Sequence, residues 1–132
     1  MRYLLDTNII SDFIRNPKGR VASRIRRVGR EAVFTSVIVA AELRFGVAKN
    51  GSFKLGRRVE EALQALLVEP FEQPADAAYA AIRASLEKQG KSIGGNDLFI
   101  AAHALTLGCT LATANEREFA RIDGLKCENW LR

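Results

Sequence analysis

The sequence predicts an α/β fold in which helices cover both faces of a mostly parallel sheet. Short apolar runs bounded by polar residues, typical of buried strands, alternate along the chain with segments of helical periodicity. The 132 residues fit a single domain, residues 1–132, with a substantial core. An apolar share of 48% beside 27% charged residues is typical of a soluble globular protein.

Composition and charge narrow the class of protein further. No run approaches the roughly 20 apolar residues that span a bilayer, and the N-terminus lacks a signal-peptide apolar region, so we expect a cytoplasmic protein with no membrane partner. Cys109 and Cys127 do not make a disulfide framework and are expected to act as small apolar residues. The net charge of +5 favours an anionic partner, most plausibly nucleic acid.

The first strand is predicted at Tyr3-Leu4-Leu5, an apolar run that ends abruptly in Asp6, Thr7 and Asn8. In an open parallel sheet, ligands bind beyond the carboxyl ends of the strands, which is where Asp6 would lie. The alternative is that Asp6 or Asn8 simply caps the next helix, since both residue types are favoured caps.

A short helix is expected from Ile9 to Ile14, ended by Asn16-Pro17. The stretch from Arg15 to Arg30 holds seven basic residues and no acid, with apolar residues at helical spacing inside it. It is therefore predicted to be a basic amphipathic helix that binds nucleic acid or an acidic partner by counterion release. The candidate contacts are Arg24, Arg26 and Arg27. A merely solvated face is the alternative.

The second strand is predicted at residues 32–35, and Ser36 can cap a helix over residues 37–45 that Gly46 would end. The spacing of Ile38, Ala41, Glu42 and Phe45 places them on one helical face, which we expect to point inward. A carboxylate on such a face is costly unless it is paired or binds a metal. Glu42 is therefore a candidate ligand, with a salt bridge to a distant arginine as the alternative.

The middle of the chain suggests packing rather than chemistry. Leucines and a valine mark a helix from about Leu55 to Leu66, and Leu67-Val68 is a possible third strand. An alanine-rich helix follows over about residues 75–87, closed by Gly90.

A glycine loop then runs into an apolar helix that Gly108 ends. Asn96 is expected to cap this helix, which places Asp97 on its first turn, where the helix dipole favours an ionised carboxylate. The glycines have neither dinucleotide-binding nor P-loop spacing. His103 lies about 240° around the helix from Asp97 and is interpreted as structural.

The fourth strand is predicted at Leu111-Ala112-Thr113, followed by Asn115 and Glu116. A last strand or tail contains Cys127 and Trp130, and Trp130 is expected to be a packing anchor.

Asp6, Glu42 and Asp97 are the residues expected to carry chemistry. If folding gathers them, three carboxylates cannot all ionise without a cation, and Mg²⁺ is a hard divalent ion that takes oxygen ligands of this kind. Such ions activate water and neutralise the leaving oxygen of a phosphodiester. Three other mechanisms lack the residues that they need. A single histidine cannot supply the pair for metal-free acid–base cleavage of RNA, and no Cys/His cluster has the spacing of a zinc site. A Ser-His-Asp hydrolase would need a G-x-S-x-G nucleophile elbow, which is absent.

Four motifs, in order along the chain, also resemble a known family. They are Leu5-Asp6-Thr7-Asn8; Thr35-Ser36 followed by Ala41-Glu42-Leu43; Ile93-Gly94 through Asp97 to Ile100-Ala101-Ala102-His103-Ala104; and Thr113-Ala114-Asn115-Glu116-Arg117-Glu118-Phe119. In this order and spacing they resemble the PIN-domain toxins of bacterial toxin–antitoxin pairs, the VapC group. The likeness extends to the closing Glu128-Asn129-Trp130 and so covers essentially the whole chain.

The resemblance implies a three-layer α/β/α fold and a Mg²⁺- or Mn²⁺-dependent endoribonuclease that arrests translation, acting on structured RNA such as tRNA or rRNA. It also implies a homodimer, or a larger toxin–antitoxin assembly, silenced by a cognate VapB-like antitoxin that covers the active site. By this likeness Asp6, Glu42 and Asp97 are the metal-binding acids. The polar positions around them are Thr7, Asn8, Ser36 and Thr113.

Asn115 departs from the pattern, since the family often has a fourth acid there. One tightly held metal is therefore expected, with a second arriving only with substrate; the side chain of the adjacent Glu116 need not point the same way. Three alternatives stay open. They are a non-enzymatic module that binds nucleic acid or protein through the Arg15 to Arg30 surface, cleavage of DNA rather than RNA, and a phosphatase with Asp6 as nucleophile. The last usually needs an acid where Asn8 stands.

Overall fold

The computed structural model describes all residues, 1–132, and contains one sheet of five parallel strands. The strands are β1 (Tyr3–Leu5), β2 (Val33–Ser36), β3 (Leu67–Glu69), β4 (Thr110–Ala112) and β5 (Lys126–Glu128). Their spatial order is β3-β2-β1-β4-β5, with Leu4 opposite Phe34 on one side and Leu111 on the other. The predicted mostly parallel sheet is confirmed, and it is parallel throughout.

Seven α-helices surround the sheet. They are α1 (Thr7–Arg15), α2 (Arg20–Val28), α3 (Val37–Asn50), α4 (Phe53–Gln64), α5 (Ala75–Lys88), α6 (Gly95–Leu107) and α7 (Glu116–Phe119). Helix α1 packs against α2, α3 and α4, while α5 packs against α6. Because the strand order reverses after β3, right-handed crossovers place the two groups on opposite faces, which gives the three-layer α/β/α arrangement. No helix combines the length and the apolar character needed to cross a membrane.

The reversal in strand order also locates the ligand crevice. Strands β1 and β4 are neighbours, but the connections that follow them run in opposite directions. The space beyond the carboxyl ends of two such strands is the usual ligand site of an open parallel sheet. Asp6 follows β1 directly and Thr113 follows β4 directly, so both residues lie at this point.

The central strands are buried on both faces, as expected for a covered parallel sheet. The largest fully buried side chains include Phe34 on β2, Leu111 on β4 and Trp130 after β5. Trp130 packs on Tyr3 with ring centroids 5.2 Å apart, and its indole N–H donates to Glu128. The prediction that Trp130 is a packing anchor is confirmed.

The predicted basic amphipathic helix is present as α2 (Arg20–Val28), so it is shorter than the Arg15 to Arg30 stretch. Helix α1 ends at Arg15, where the Asn16 side chain and backbone N–H both bond to Asp12, and α2 begins only at Arg20. Pro17 lacks an N–H and disfavours helical conformation in the residue before it, so the chain turns there.

The prediction that Gly46 ends the third helix is also wrong. Helix α3 continues to Asn50 and ends at Gly51, whose φ of 76° is the left-handed conformation that favours glycine. The buried side of α3 consists of Val39, Ala40 and Leu43. The predicted inward face, Ile38 with Ala41, Glu42 and Phe45, instead runs from half-buried to exposed, and Phe45 is 67% exposed. The side chains of the predicted face do not all reach the core, because the buried stripe of α3 is shifted by one residue towards the C-terminus, from Ile38 and Glu42 to Val39 and Leu43.

Two boundaries near the site differ by one or two residues from the predictions. Helix α6 begins at Gly95 with Gly94 as its N-cap, so Asn96 is not the cap, although Asp97 does lie on the first turn. Strand β4 ends at Ala112, which leaves Thr113 in the loop that follows it.

Candidate active site

Asp6 serves both as a helix cap and as part of the site. Its Oδ1 accepts a hydrogen bond of 2.8 Å from the Thr7 N–H at the start of α1, and its Oδ2 accepts one of 2.6 Å from the Thr113 hydroxyl. Its side chain is only 3% exposed. Burial raises the pKa of Asp6, the two hydrogen bonds oppose that rise, and the charge of Glu42 adds to it. The two interpretations of Asp6 are therefore not alternatives.

Glu42 reaches the same region from the half-buried edge of α3. Its carboxylate accepts hydrogen bonds from the Thr7 hydroxyl and, at 3.2 Å, from the Asn96 amide. Neither partner is an arginine, and Glu42 takes part in no salt bridge. The distant arginine partner considered for Glu42 is thus ruled out, and its charge acts on the pKa of both Asp6 and Asp97.

Asp97 enters from the first turn of α6, and its Oδ2 accepts a hydrogen bond of 3.3 Å from the Asn115 amide. Burial raises the pKa of Asp97 from the ordinary 3.8 to about 7. Smaller parts of this rise in the pKa come from the negative charges of Asp6, Glu118 and Glu42 and from a hydrogen bond with Glu118. Folding therefore brings the three predicted acids close enough for their charges to oppose one another.

Glu118 is a fourth acid of this cluster that the sequence reasoning missed. The Asn115 amide donates both to Asp97 and, at 3.0 Å, to the Glu118 carboxylate. Glu116, the adjacent acid, instead pairs with Arg132 at 2.7 Å. The spacing along the chain could have identified Glu118. Asn115 and Glu118 are three residues apart and share a face of the helical turn, whereas Asn115 and its direct neighbour Glu116 do not.

The other predicted polar residues have distinct positions. Thr113 also accepts the Asn115 backbone N–H, and the Asn8 side chain accepts the Ala114 N–H at 3.0 Å, so both fix the loop after β4. Ser36 ends β2, the strand next to β1, and it caps α3 while bonding to the His103 ring at 2.8 Å. Burial lowers the pKa of His103. The interpretation of His103 as structural is confirmed.

The three predicted nucleic-acid contacts on α2 differ in their surroundings. The guanidinium of Arg24 lies 3.1 Å from Glu128 and stacks over Trp130, so it holds the C-terminal segment against α2. Arg26 and Arg27 are exposed and form no ion pair. Arg24 thus has a packing role beside Glu128 and Trp130, and its contact with nucleic acid stays a prediction.

The donor set fits a hard divalent cation. Asp6 follows β1, and carboxylates from α3, α6 and α7 lie close enough for their charges to repel one another. This repulsion contributes to the raised pKa of Asp97, and a cation would relieve it. In the structure, no three acidic, thiol or imidazole side chains are arranged so that they could hold a metal ion together. Each carboxylate instead accepts hydrogen bonds from neutral threonine or asparagine donors.

Glu118→Gln is expected to lower the activity of this site by roughly tenfold, the lower end of the range for a residue beside the ligands of the predicted metal. The Asn115 amide can still bond to the glutamine oxygen, so the melting temperature should change little. Glu116→Gln is the matched control, since Glu116 lies on the same short helix but pairs with Arg132. RNA cleavage rates for both variants check this; equal rates for Glu118→Gln and the unmodified protein would remove Glu118 from the site.

Comparison with known proteins agrees with this geometry. The sequence profile of the PIN domain matches residues 3–125. The chain is 36% identical over 132 residues to Ribonuclease VapC2 of Haemophilus influenzae, covering 99% of each chain. It is 31% identical over 131 residues to the tRNA(fMet)-specific endonuclease VapC of Shigella flexneri, covering 98% of each.

Solved structures give the same result. The VapBC2 complex of Rickettsia felis, bound to a DNA fragment from its promoter, contains a chain that superposes with a TM-score of 0.90. That chain is 34% identical to this one, and the match covers 98% of this chain and 99% of the other. Together with the acids at the β1–β4 crevice, these similarities show that the chain belongs to the PIN-domain family, in its VapC ribonuclease group.

Proposed function

We propose that this protein is a metal-dependent endoribonuclease, the toxin of a toxin–antitoxin pair, and that it hydrolyses RNA phosphodiesters at the β1–β4 crevice. The observation that carries the proposal is that Asp6, Glu42 and Glu118 lie close enough to Asp97 for their charges to act on its carboxylate. The pKa of Asp97 is raised to about 7 there. Perturbed carboxylates in a crevice are the usual mark of a working site.

Asp6, Glu42 and Asp97 would hold Mg²⁺ or Mn²⁺ through their carboxylate oxygens, with the Glu118 carboxylate beside these ligands. When bound, such an ion activates water and neutralises charge on the phosphodiester. The neutral side chains around the acids fix their orientation. Thr113 holds Asp6, Thr7 and Asn96 hold Glu42, and Asn115 holds Asp97 and Glu118.

The substrate class follows from the relatives. A relative that is 31% identical over nearly its whole length is a tRNA(fMet)-specific endonuclease. We therefore propose structured RNA, such as tRNA or rRNA, as the substrate, with inhibition of translation as the result. The net charge of +5 and the exposed Arg26 and Arg27 support an RNA partner.

The partner is proposed to be a cognate VapB-like antitoxin that covers the crevice. Related structures are VapBC complexes, including one bound to promoter DNA. A homodimer, or a larger assembly of toxin and antitoxin, is proposed on the same resemblance, with Mg²⁺ or Mn²⁺ as the cofactor and the cytoplasm as the place of action.

The test is cleavage of a panel of tRNA and rRNA by the purified protein in Mg²⁺, in Mn²⁺ and in EDTA. We expect cleavage only with metal, and we expect Glu42→Gln to lower the rate roughly 10- to 100-fold, because it removes one carboxylate of the cluster. Glu60→Gln is the matched control, since Glu60 pairs with Arg44 on the exposed surface. Metal should also raise the melting temperature.

A non-enzymatic binding module would give a different result. Such a protein would bind RNA or protein through the Arg15 to Arg30 surface, cut no RNA in the panel, and show no metal stabilisation that Glu42→Gln weakens. Cutting in EDTA at the same rate as in Mg²⁺ would equally contradict the proposed function. A phosphatase would release phosphate from a monoester and leave RNA intact, and preference for DNA would appear in a parallel DNA panel.

A further inference from the structure

A depression of about 640 Å³ lies at the end of α1 that is farther from the acid cluster. The last turn of α1, the connection to α2 and the C-terminal segment form its walls, with these side chains among them: Asp12, Arg15, Lys18, Arg20 and Leu131. None of the four acids of the candidate active site lines it. The depression is therefore a separate feature of the surface.

The positive charges of the depression are not balanced by acids. Arg15, Lys18 and Arg20 are exposed, and none of them takes part in an ion pair. The one acid in the wall, Asp12, accepts a hydrogen bond of 3.0 Å from the Asn16 amide instead. The guanidinium of Arg20 donates to the backbone carbonyl of Leu131 at 3.4 Å, and that group carries no charge to balance it. An anion placed here would relieve the repulsion between the three cations.

The polar lining narrows the class of anion. Leu131 and Pro17 are the only apolar side chains in the wall. The buried centre of a protein–protein interface and the walls of a small-molecule site are both mostly apolar. The backbone of a nucleic acid, by contrast, is bound mainly through its phosphates by lysine and arginine side chains. The lining therefore fits a phosphodiester backbone.

Two segments of the chain connect the depression with the proposed active site. Helix α1 begins directly after Asp6 and ends at Arg15, which is a length of about 12 Å. On the other side, the Thr113 N–H donates to the Glu128 carbonyl, and Leu131 follows three residues later. A nucleic-acid strand with a rise of roughly 3.4 Å per nucleotide covers about 12 Å in roughly three or four nucleotides.

We propose that this depression binds the sugar–phosphate backbone of the substrate RNA, roughly three or four nucleotides from the cleaved phosphodiester. Arg15, Lys18 and Arg20 contact phosphate oxygens there and read no base. Arg26 and Arg27 do not line the depression, so this contact is separate from theirs. It adds affinity for long RNA and leaves the chemistry at the acids unchanged. The inference rests on the proposed RNA cleavage, because it assigns a second part of the same strand to the far end of α1.

The first test removes the three cations together with Arg15→Gln, Lys18→Gln and Arg20→Gln, a combination called here the depression variant. Because all three side chains are exposed, its melting temperature should change little. Binding of a labelled, unstructured RNA of about 20 nucleotides is measured in EDTA over a range of KCl concentrations. We expect roughly 10- to 100-fold weaker binding. The slope of log affinity against log salt should fall by about 2, since each phosphate of a single strand contributes about 0.7.

Two controls separate the depression from net charge and from local contacts. The first removes the same charge through three exposed lysines that form no ion pair and do not line the depression: Lys49→Gln, Lys54→Gln and Lys88→Gln. Its affinity and salt slope should stay close to those of the unmodified protein. The second, Arg15→Lys with Arg20→Lys, keeps the charge while changing the Arg20 contact with Leu131. Lysine binds phosphate as a point charge, so this variant should retain RNA affinity to within about threefold.

The second test varies the length of the RNA. An RNA that the unmodified protein cleaves is trimmed to about two nucleotides on each side of the cut, so that it no longer reaches the depression. The depression variant should raise KM for the full-length RNA about tenfold and leave kcat unchanged. It should cleave the trimmed RNA as fast as the unmodified protein does. Trimming and charge removal then act on the same contact, so their effects are not additive.

The outcomes also separate this inference from the proposed function. Weaker RNA binding in the depression variant, with both controls close to the unmodified protein, supports the depression as a backbone site. Equal losses in the depression variant and the triple lysine control would show that only net charge matters and would overturn it. Unchanged RNA affinity, or a loss of affinity for a protein antitoxin alone, would overturn it too. Failure of the unmodified protein to cut RNA in Mg²⁺ counts against the proposed function, and binding in EDTA is independent of that result.

Discussion

Asp97→Asn is expected to make the metal-free protein more stable and at the same time nearly inactive. The pKa of Asp97 is raised to about 7 by burial and by the charges of Asp6, Glu118 and Glu42, so its ionised form opposes folding. Asparagine keeps the shape, carries no charge, and can still accept the Asn115 hydrogen bond. Because Asp97 is half-exposed, solvent screening limits the gain to about 1 kcal/mol, or roughly 3 °C in melting temperature.

The activity of the same variant should fall by more than about 100-fold, which exceeds the effect of losing a residue that only supports a metal ligand. Metal should also stabilise Asp97→Asn less than the unmodified protein, since a binding carboxylate is missing. The Asp97 carboxylate is thus expected to lower the stability of the fold and to raise the activity. A trade-off of this kind is common at functional sites.

The pH dependence of stability gives an independent measurement. A carboxyl group whose pKa is higher in the folded state stabilises the fold fully below its unfolded pKa of 3.8, and this contribution is lost as pH rises towards about 7. In EDTA, the melting temperature of the unmodified protein should therefore fall between pH 4 and pH 7 relative to Asp97→Asn.

Asp76→Asn is the matched control, because Asp76 also lies on the first turn of a helix but is exposed and distant from the acids. It should lose a little stability through the helix dipole and keep full activity. A melting temperature that drops in Asp97→Asn, or that shows no pH-dependent difference from the unmodified protein, would contradict the charge repulsion at the site.

The part of the fold that could be predicted from the sequence is the part set by local pattern. The apolar runs at Tyr3 to Leu5 and Leu67-Val68 are strands because they are short, apolar and followed by polar residues. Asp6 and Asp97 could be located because each stands at a fixed position, after a strand and at the start of a helix.

The remainder depends on tertiary contacts. The buried face of α3 is decided by what packs against it, and so Glu42 lies at an edge rather than on an inward stripe. Glu118 joins the site only because the Asn115 amide reaches two carboxylates from different helices. The pairing of Arg24 with Glu128 joins residues 104 positions apart, which no local pattern reveals.

Asp6 is the residue where replacement by alanine and by asparagine should differ most clearly. Both changes remove the charge at the crevice, so both are expected to lower RNA cleavage by more than about 100-fold. Asparagine can still accept the Thr7 N–H and so preserve the cap of α1. Alanine leaves that N–H and the proton of the buried Thr113 hydroxyl without an acceptor.

The cap contributes about 1 kcal/mol, and an unpaired buried hydroxyl costs at least about as much. Asp6→Ala should therefore melt roughly 6 °C below Asp6→Asn, while Asp6→Asn melts close to the unmodified protein, because loss of a buried charge offsets the weaker hydrogen bonds. Thermal melts and cleavage rates of the two variants, with the unmodified protein beside them, measure both effects. Equal melting temperatures would show that Asp6 does not cap α1, and full activity in Asp6→Asn would remove its carboxylate from the chemistry.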